Sequence, residues 1–223
     1  MPMVATIKKA SHSQYYFTDN MPSGTRHRDY LSFIDTLMRQ YFLRFPQERA
    51  RLDVLLSQLE QRDPNICSRS NLPGHLTASA LVLNPKDNCL LLIRHKFLQR
   101  WLQPGGHMDP GELPLAGALR ELSEEVGTVP VSVHPWHREN AVPIDIDSHA
   151  IPANTAKNEP PHLHHDFQYI MVLTGEFDLK LQADEVSGFR WVPAEDFRSG
   201  DFGQRLARTI DKMQALNFFQ TAD

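Results

Sequence analysis

The sequence predicts an α/β domain: a mixed sheet held between helices and preceded by a helical pair. Two patterns and one bound predict it. Apolar residues recur at three- and four-residue spacing over the first quarter of the chain. Strand-like runs then follow, broken by one central helix and closed by a last one. The chain has 223 residues, 41% hydrophobic and 22% charged, an ordinary globular composition long enough for one domain and an appendage.

Residues 1–25 are mixed and polar and are expected to form a flexible tail. From Arg26, the residues Tyr30, Phe33, Ile34, Leu37, Met38, Tyr41 and Phe42 mark one helical face. Pro46 stands where a helix can restart, Leu52, Leu55, Leu56 and Leu59 form a second stripe, and Pro64 stops it. Two helices cannot fold alone, so the extension 26–66 must pack either on the downstream domain or on a second subunit, giving a homodimer.

Beyond a polar linker, the domain is expected over 70–217. His75–Leu83 and Cys89–Ile93 read as strands joined through the turn Asn84-Pro85-Lys86-Asp87-Asn88. Trp101–Met108 reads as loop or strand, and Leu113–Val126 as a helix closed by Gly127. Val142–Ile151, Phe167–Val172 and Phe189–Val192 read as further strands, and Arg205–Phe218 as the closing helix. The stretch from Asp145 to Pro161 also admits a long loop over a site, where specificity is often carried.

Composition narrows the function. A formal net charge of −4 argues against nucleic-acid or anionic-membrane partners. Two cysteines, Cys67 and Cys89, make no disulfide framework, so a cytoplasmic protein is expected. No run reaches the ~18 apolar residues of a membrane span.

The chemistry concentrates in WLQPGGHMDPGELPLAGALRELSEEVGT, residues 101–128. Glu121, Glu124 and Glu125 are spaced i, i+3, i+4, which sets three carboxylates on one helix face. Leu115, Leu119, Leu122 and Val126 fall on an adjoining face that can be buried. A merely solvated acidic face needs neither the Gly105-Gly106 pair nor Glu112 at a fixed distance. Clustered carboxylates call for a hard divalent cation, Mg²⁺ or Mn²⁺, which can neutralise a diphosphate and orient water.

This segment resembles the signature of the Nudix hydrolases, G-x5-E-x7-R-E-U-x-E-E-x-G-U, in which U is a bulky aliphatic residue. Gly106, Glu112, Arg120, Glu121, Glu124, Glu125 and Gly127 fill the seven fixed identities, Leu122 fills the first U, and Thr128 departs from the last. The resemblance implies a Nudix-like α/β/α sandwich and a metal-dependent hydrolase acting on a nucleoside diphosphate linked to another moiety. It implies that the Gly106 carbonyl, Glu121, Glu124 and Glu125 bind metal, and that Glu112 and Arg120 form a supporting ion pair. Many members add an acid from a later loop as ligand or base. Asp184 and Glu185 are the candidates here, Glu185 being preferred.

A second cluster, PPHLHHDF, sets His162, His164 and Asp166 at alternate positions of one strand face. His and Asp together suit Zn, Mn or Fe. The isopentenyl-diphosphate isomerases share the Nudix fold and use a histidine-rich metal site. The placement of His75 and of His107 after a double glycine is similar to theirs, which adds a second metal site at His75, His107, His164 and Asp166 to the expectations. Gly105 stands where their catalytic cysteine would fall, which disfavours isomerase chemistry. A Nudix-fold module that binds a nucleotide without turnover is the other alternative.

Overall fold

The computed structural model describes residues 23–153, 159–199 and 203–219, so most of the expected tail and residues 154–158 lie outside the described residues. Helix α1 spans Ser23–Arg44, a 3₁₀ turn with proline in its first turn spans Pro46–Leu52, and α2 spans Asp53–Glu60. Four strands follow: β1 Gly74–Asn84, β2 Cys89–His95, β3 Arg100–Leu102 and β4 Gly105–His107. Then come α3 Pro114–Val126, β5 Val131–Val133, α4 Pro135–Asn140, β6 Asp145–Ile151, β7 His162–Leu173, β8 Val186–Pro193 and α5 Gly203–Ala215.

Among the described residues the strands form one mixed sheet ordered β3-β2-β1-β7-β5, with β4 beside β1, β6 beside β7 and β8 beside β2. The predicted β1–β2 hairpin is present, and β1 runs parallel to β7 at the centre. β1 is buried along nearly its whole length, as a central strand covered on both faces should be. Its even residues, Leu76, Ala78, Ala80 and Val82, are small or apolar and lie on the side where α3 packs. A Cβ added at Gly117 of α3 would meet the Ala78 methyl at 3.4 Å, so glycine there lets helix and sheet approach closely. The odd residues His75, Thr77 and Ser79 are equally buried yet polar, and buried polar groups need partners.

The expected helical pair is present, with the turn after Pro46 wound as 3₁₀. Tyr30, Ile34, Leu37, Met38 and Tyr41 of α1 and Leu55 and Leu59 of α2 are buried in the same core as Leu76 and Phe167. Of the two partners open to these stripes, the domain of the same chain covers them. The extension also covers an edge. β6 has a free side, and there the Ile146 N–H donates to the Tyr41 hydroxyl at 3.1 Å while Arg51 donates to the Ile146 carbonyl.

Two short elements escape the apolar pattern, β5 and α4. Asp145–Ile151 is a strand, so the expected long loop shrinks to the connection between β6 and β7. Within α4, His137 is 5% exposed and takes one defined tautomer: Nδ1–H donates to the Val142 carbonyl at 2.8 Å and Nε2 accepts from the Ile170 N–H at 2.8 Å. A proton on Nε2 would face an N–H. Burial is the main reason its pKa is pushed down to about 4. The unfolded chain therefore binds the proton first, and the stability held by neutral His137 is complete above pH ~6.5 and lost as pH falls toward 4. Relative to His137→Gln, the wild type is expected to lose about 2–3 kcal/mol of stability between pH 7.5 and 4.5. Urea unfolding at the two pH values measures it, and parallel pH profiles for the two proteins would contradict it.

Candidate active site

Helix α3 starts at Pro114, whose fixed φ suits a first turn, and ends at Gly127 in a positive-φ conformation. Between them it carries Arg120, Glu121, Glu124 and Glu125 to one end of the sheet. Arg120 clasps Glu112 with two bonds of 2.9 Å, from Nε to Oε1 and from Nη2 to Oε2. Glu112 is 1% exposed, so the expected ion pair is a buried fork. The same guanidinium reaches the His107 carbonyl at 2.8 Å, Glu121 at 2.8 Å and Glu124 at 3.1 Å. These last contacts were not legible in the box spacing. Its carboxylate partners raise the Arg120 pKa despite partial burial.

The three helix acids differ in environment. Glu124 is exposed. Glu121 is partly buried and its pKa is raised mainly by burial. Glu125 is buried and accepts the Gly105 N–H at 2.8 Å; burial pushes its pKa up to about 8. A Cβ at Gly106 would fall 2.5 Å from a Glu121 oxygen, so glycine alone leaves a cradle between this backbone and the carboxylate.

Glu185 arrives from the other side. The loop before β8 is tied to α3 by Lys180 N–H to the Val126 carbonyl and Gln182 N–H to the Glu125 carbonyl. Glu121, Glu124, Glu125, Gly106, Asp184 and Glu185 thereby line one cleft of about 990 Å³, together with His107, His164 and Asp166.

β4 joins the two halves of the cleft. Gly106 pairs with Ala78 and turns toward α3; His107 pairs with Thr77 and turns to the opposite face. There His75 aligns with His164, Thr77 with Asp166, and His149 of β6 with His164. Ligand nitrogens of His75, His107 and His164 lie within 4.8 Å of one another. Asp166 sits one step further along and is otherwise engaged. Its oxygens accept from Ser79 at 2.8 Å, Gln168 at 3.1 Å, Thr77 at 3.2 Å and Gln103 at 3.3 Å. The structure thus brings three of the four expected second-site residues together and sets Asp166 apart, as the centre of a buried hydrogen-bond network. Ser79, Gln103, His149 and Arg205 also line the cleft and stand outside the residues expected from sequence; strand parity from His75 points to Ser79.

A sheet between helices with a carboxylate-rich helix against a double-glycine strand defines a Nudix-type fold and site. The sequence profile of the NUDIX domain matches residues 73–213, and the chain belongs to the Nudix hydrolase family. A probable DHNTP pyrophosphohydrolase of Lactococcus lactis is 32% identical over 127 residues, covering 57% of this chain and 71% of that protein. The m7GpppN-mRNA hydrolase NUDT17 of Bos taurus is 34% identical over 125 residues, covering 51% of this chain but only 39% of that protein. Among solved structures, an Ap4A hydrolase of C. elegans aligns with a TM-score of 0.49 at 19% identity, over 64% of this chain and 97% of that one. Among the described residues no helix is long and apolar enough to cross a membrane.

Proposed function

We propose that the protein hydrolyses a phosphoanhydride bond in a nucleoside diphosphate linked to another moiety, with a divalent cation, Mg²⁺ or Mn²⁺, held by the helix. The observation that carries this reading is that Glu121, Glu124 and Glu125 line one large cleft, Glu121 facing the Gly106 cradle and Glu125 accepting the adjacent Gly105 N–H. All-oxygen donors and a gap that a Cβ would fill fit a hard cation. The three carboxylates and the Gly106 carbonyl would hold it, and it would supply charge neutralisation at the diphosphate. Arg120 is a positioning residue: by gripping Glu112 and the His107 carbonyl it fixes the helix against β4. One of Glu121, Glu124, Glu125 and Glu185 accepts the proton of the attacking water.

The test is a substrate panel with Mg²⁺ and with Mn²⁺: nucleotide sugars, dinucleoside polyphosphates, ADP-ribose and oxidised nucleotides. Dihydroneopterin triphosphate and capped RNA join it because of what the relatives are named for. Metal-dependent cleavage of at least one into two phosphorylated products, such as a nucleoside monophosphate and the phosphorylated second moiety, supports the reading. Binding without turnover across the panel would favour a sensor module instead.

Specificity is assigned to the segment 145–166. Its strands carry His149, His162 and His164 to the cleft wall, and Ile151, Pro152 and Glu159 border the cleft where the connection begins and ends. Contacts remote from the reacting phosphorus can change selectivity without changing the metal chemistry. Replacing 153–160 by a short Gly/Ser link is expected to change the relative kcat/KM of two leaving groups by about 1–3 kcal/mol. A uniform loss for all substrates would show that the segment only supports the fold.

A further inference from the structure

We propose that His75, His107 and His164 form a binding site for a divalent transition metal of the zinc class, separate from the carboxylates of α3. Three strands supply one ligand each, β1, β4 and β7, so the site is built into the rigid centre of the sheet rather than into a loop. Their ligand nitrogens already lie within 4.8 Å of one another. Around a tetrahedral ion with bonds of 2.0–2.1 Å these nitrogens would stand about 3.4 Å apart, so small ring rotations suffice.

His75 gives the independent observation. Its side chain is fully buried, and its Nε2 has no hydrogen-bond partner among the described residues. Nδ1 lies 3.5 Å from the Asn71 carbonyl, the side on which the ring proton is useful. In that tautomer the buried, unpartnered Nε2 carries the lone pair. His75 and His107 stack with ring centroids 4.9 Å apart, and His75 and His164 stand 4.7 Å apart. A ligand histidine characteristically gives its second ring N–H to a carbonyl, and an orphaned buried lone pair is costly unless something binds it.

The donor set selects the ion. Three imidazoles suit Zn²⁺ or Fe²⁺ and are poor ligands for Mg²⁺, whereas the helix carboxylates show the reverse preference. Asp166 is not a ligand here, since its oxygens are already hydrogen-bonded. His107 and His164 both border the cleft, so a fourth position on that side is open to water or to an oxygen donor of the substrate. Gly106 and His107, adjacent on β4, would thus place a hard cation and a borderline one on opposite sides of one strand.

The experiment uses the full chain without a histidine tag, stripped with chelator and then dialysed against Zn²⁺ in excess Mg²⁺. Wild type and Glu124→Gln are expected to retain about one Zn²⁺ per chain, as three-histidine sites do. His107→Asn and His164→Asn should bind it more than about 100-fold more weakly, beyond the 10–100-fold cost of losing an outer partner. Thermal unfolding confirms that each variant is folded. Anomalous diffraction at the zinc edge of the wild type should place the ion among the three rings, and this arm stands even if a variant fails to fold. Absence of zinc from the wild type, zinc bound only at the helix carboxylates, or full retention by a folded His107→Asn would each overturn the proposal. None of these readouts depends on substrate turnover, so the proposal fails or survives independently of the hydrolase reading.

Discussion

Replacing Glu124 by Gln is expected to lower kcat/KM by about 10²–10⁴ without unfolding the protein. The magnitude is that of losing a group that acts on the charge developing in the transition state. Stability should hardly change, because the Glu124 side chain is 54% exposed and its one contact among the described bonds is to Arg120, four residues back. Exposed pairs of this spacing contribute about 0.3–0.5 kcal/mol. Glu125 would be a poorer probe: it is buried and holds the Gly105 N–H, so its loss would mix catalysis with local folding. The measurement is formation of the nucleoside monophosphate product under saturating Mg²⁺, with thermal unfolding alongside. A folded Glu124→Gln of full activity would remove the carboxylate cluster from the mechanism.

Glu124 was readable because helix periodicity converts spacing directly into a shared face. The same logic exposes the stripes of the N-terminal extension, most of whose apolar residues are buried, with Phe33, Phe42 and Leu56 half-buried against the core. Shorter elements gave less. Val131–Val133 is too brief to show alternation, and α4 lies between Pro135 and Asn140 with Trp136 as its one strongly apolar residue. β7 was foreseen as apolar only from Phe167, since His162-Leu-His-His-Asp breaks the hydrophobic pattern. Those polar residues are in a strand because that face meets other polar groups, not solvent or core. Alternation therefore revealed that 162, 164 and 166 share a face, but not which strand lies opposite. That depends on the β1–β7 register, a long-range property, and it is this register that separates Asp166 from the three histidines.

The charges that tie the N-terminal extension to the domain were likewise invisible, being brought together from positions a hundred residues apart. Asp145 has no exposed surface and accepts from Arg51 at 2.5 Å, Lys212 at 2.5 Å, Arg208 at 2.9 Å and the Tyr41 hydroxyl at 3.2 Å. Glu48 contacts Arg51 and Lys212, and Asp147 accepts from Arg208 at 2.5 Å. Against the effect of its burial, a hydrogen bond from His149 and the charges of Arg208 and Arg205 hold the Asp147 carboxyl down at about 2. Three carboxylates thus face Arg51 of the 3₁₀ turn and Arg208, Lys212 and, at 3.6 Å from Asp147, Arg205 of α5, at the start of β6. Such a network adds little net stability as a whole, because desolvation offsets attraction, but removing one member strands its partners. Asp145→Ala removes the buried acid shared by Arg51, Arg208 and Lys212 and is expected to cost about 3–5 kcal/mol. For a domain of this size that lowers Tm by roughly 6–20 °C. Because the partners come from the extension and from α5, the loss should loosen both, and hydrogen exchange should rise at Ile146 and across the Pro46–Leu52 turn. The double variant with Arg208→Ala should recover part of the loss by removing one of the cations left without its acid. A cost below about 1 kcal/mol for Asp145→Ala, the scale of an exposed ion pair, would mean that the network is hydrated and does not fasten the extension.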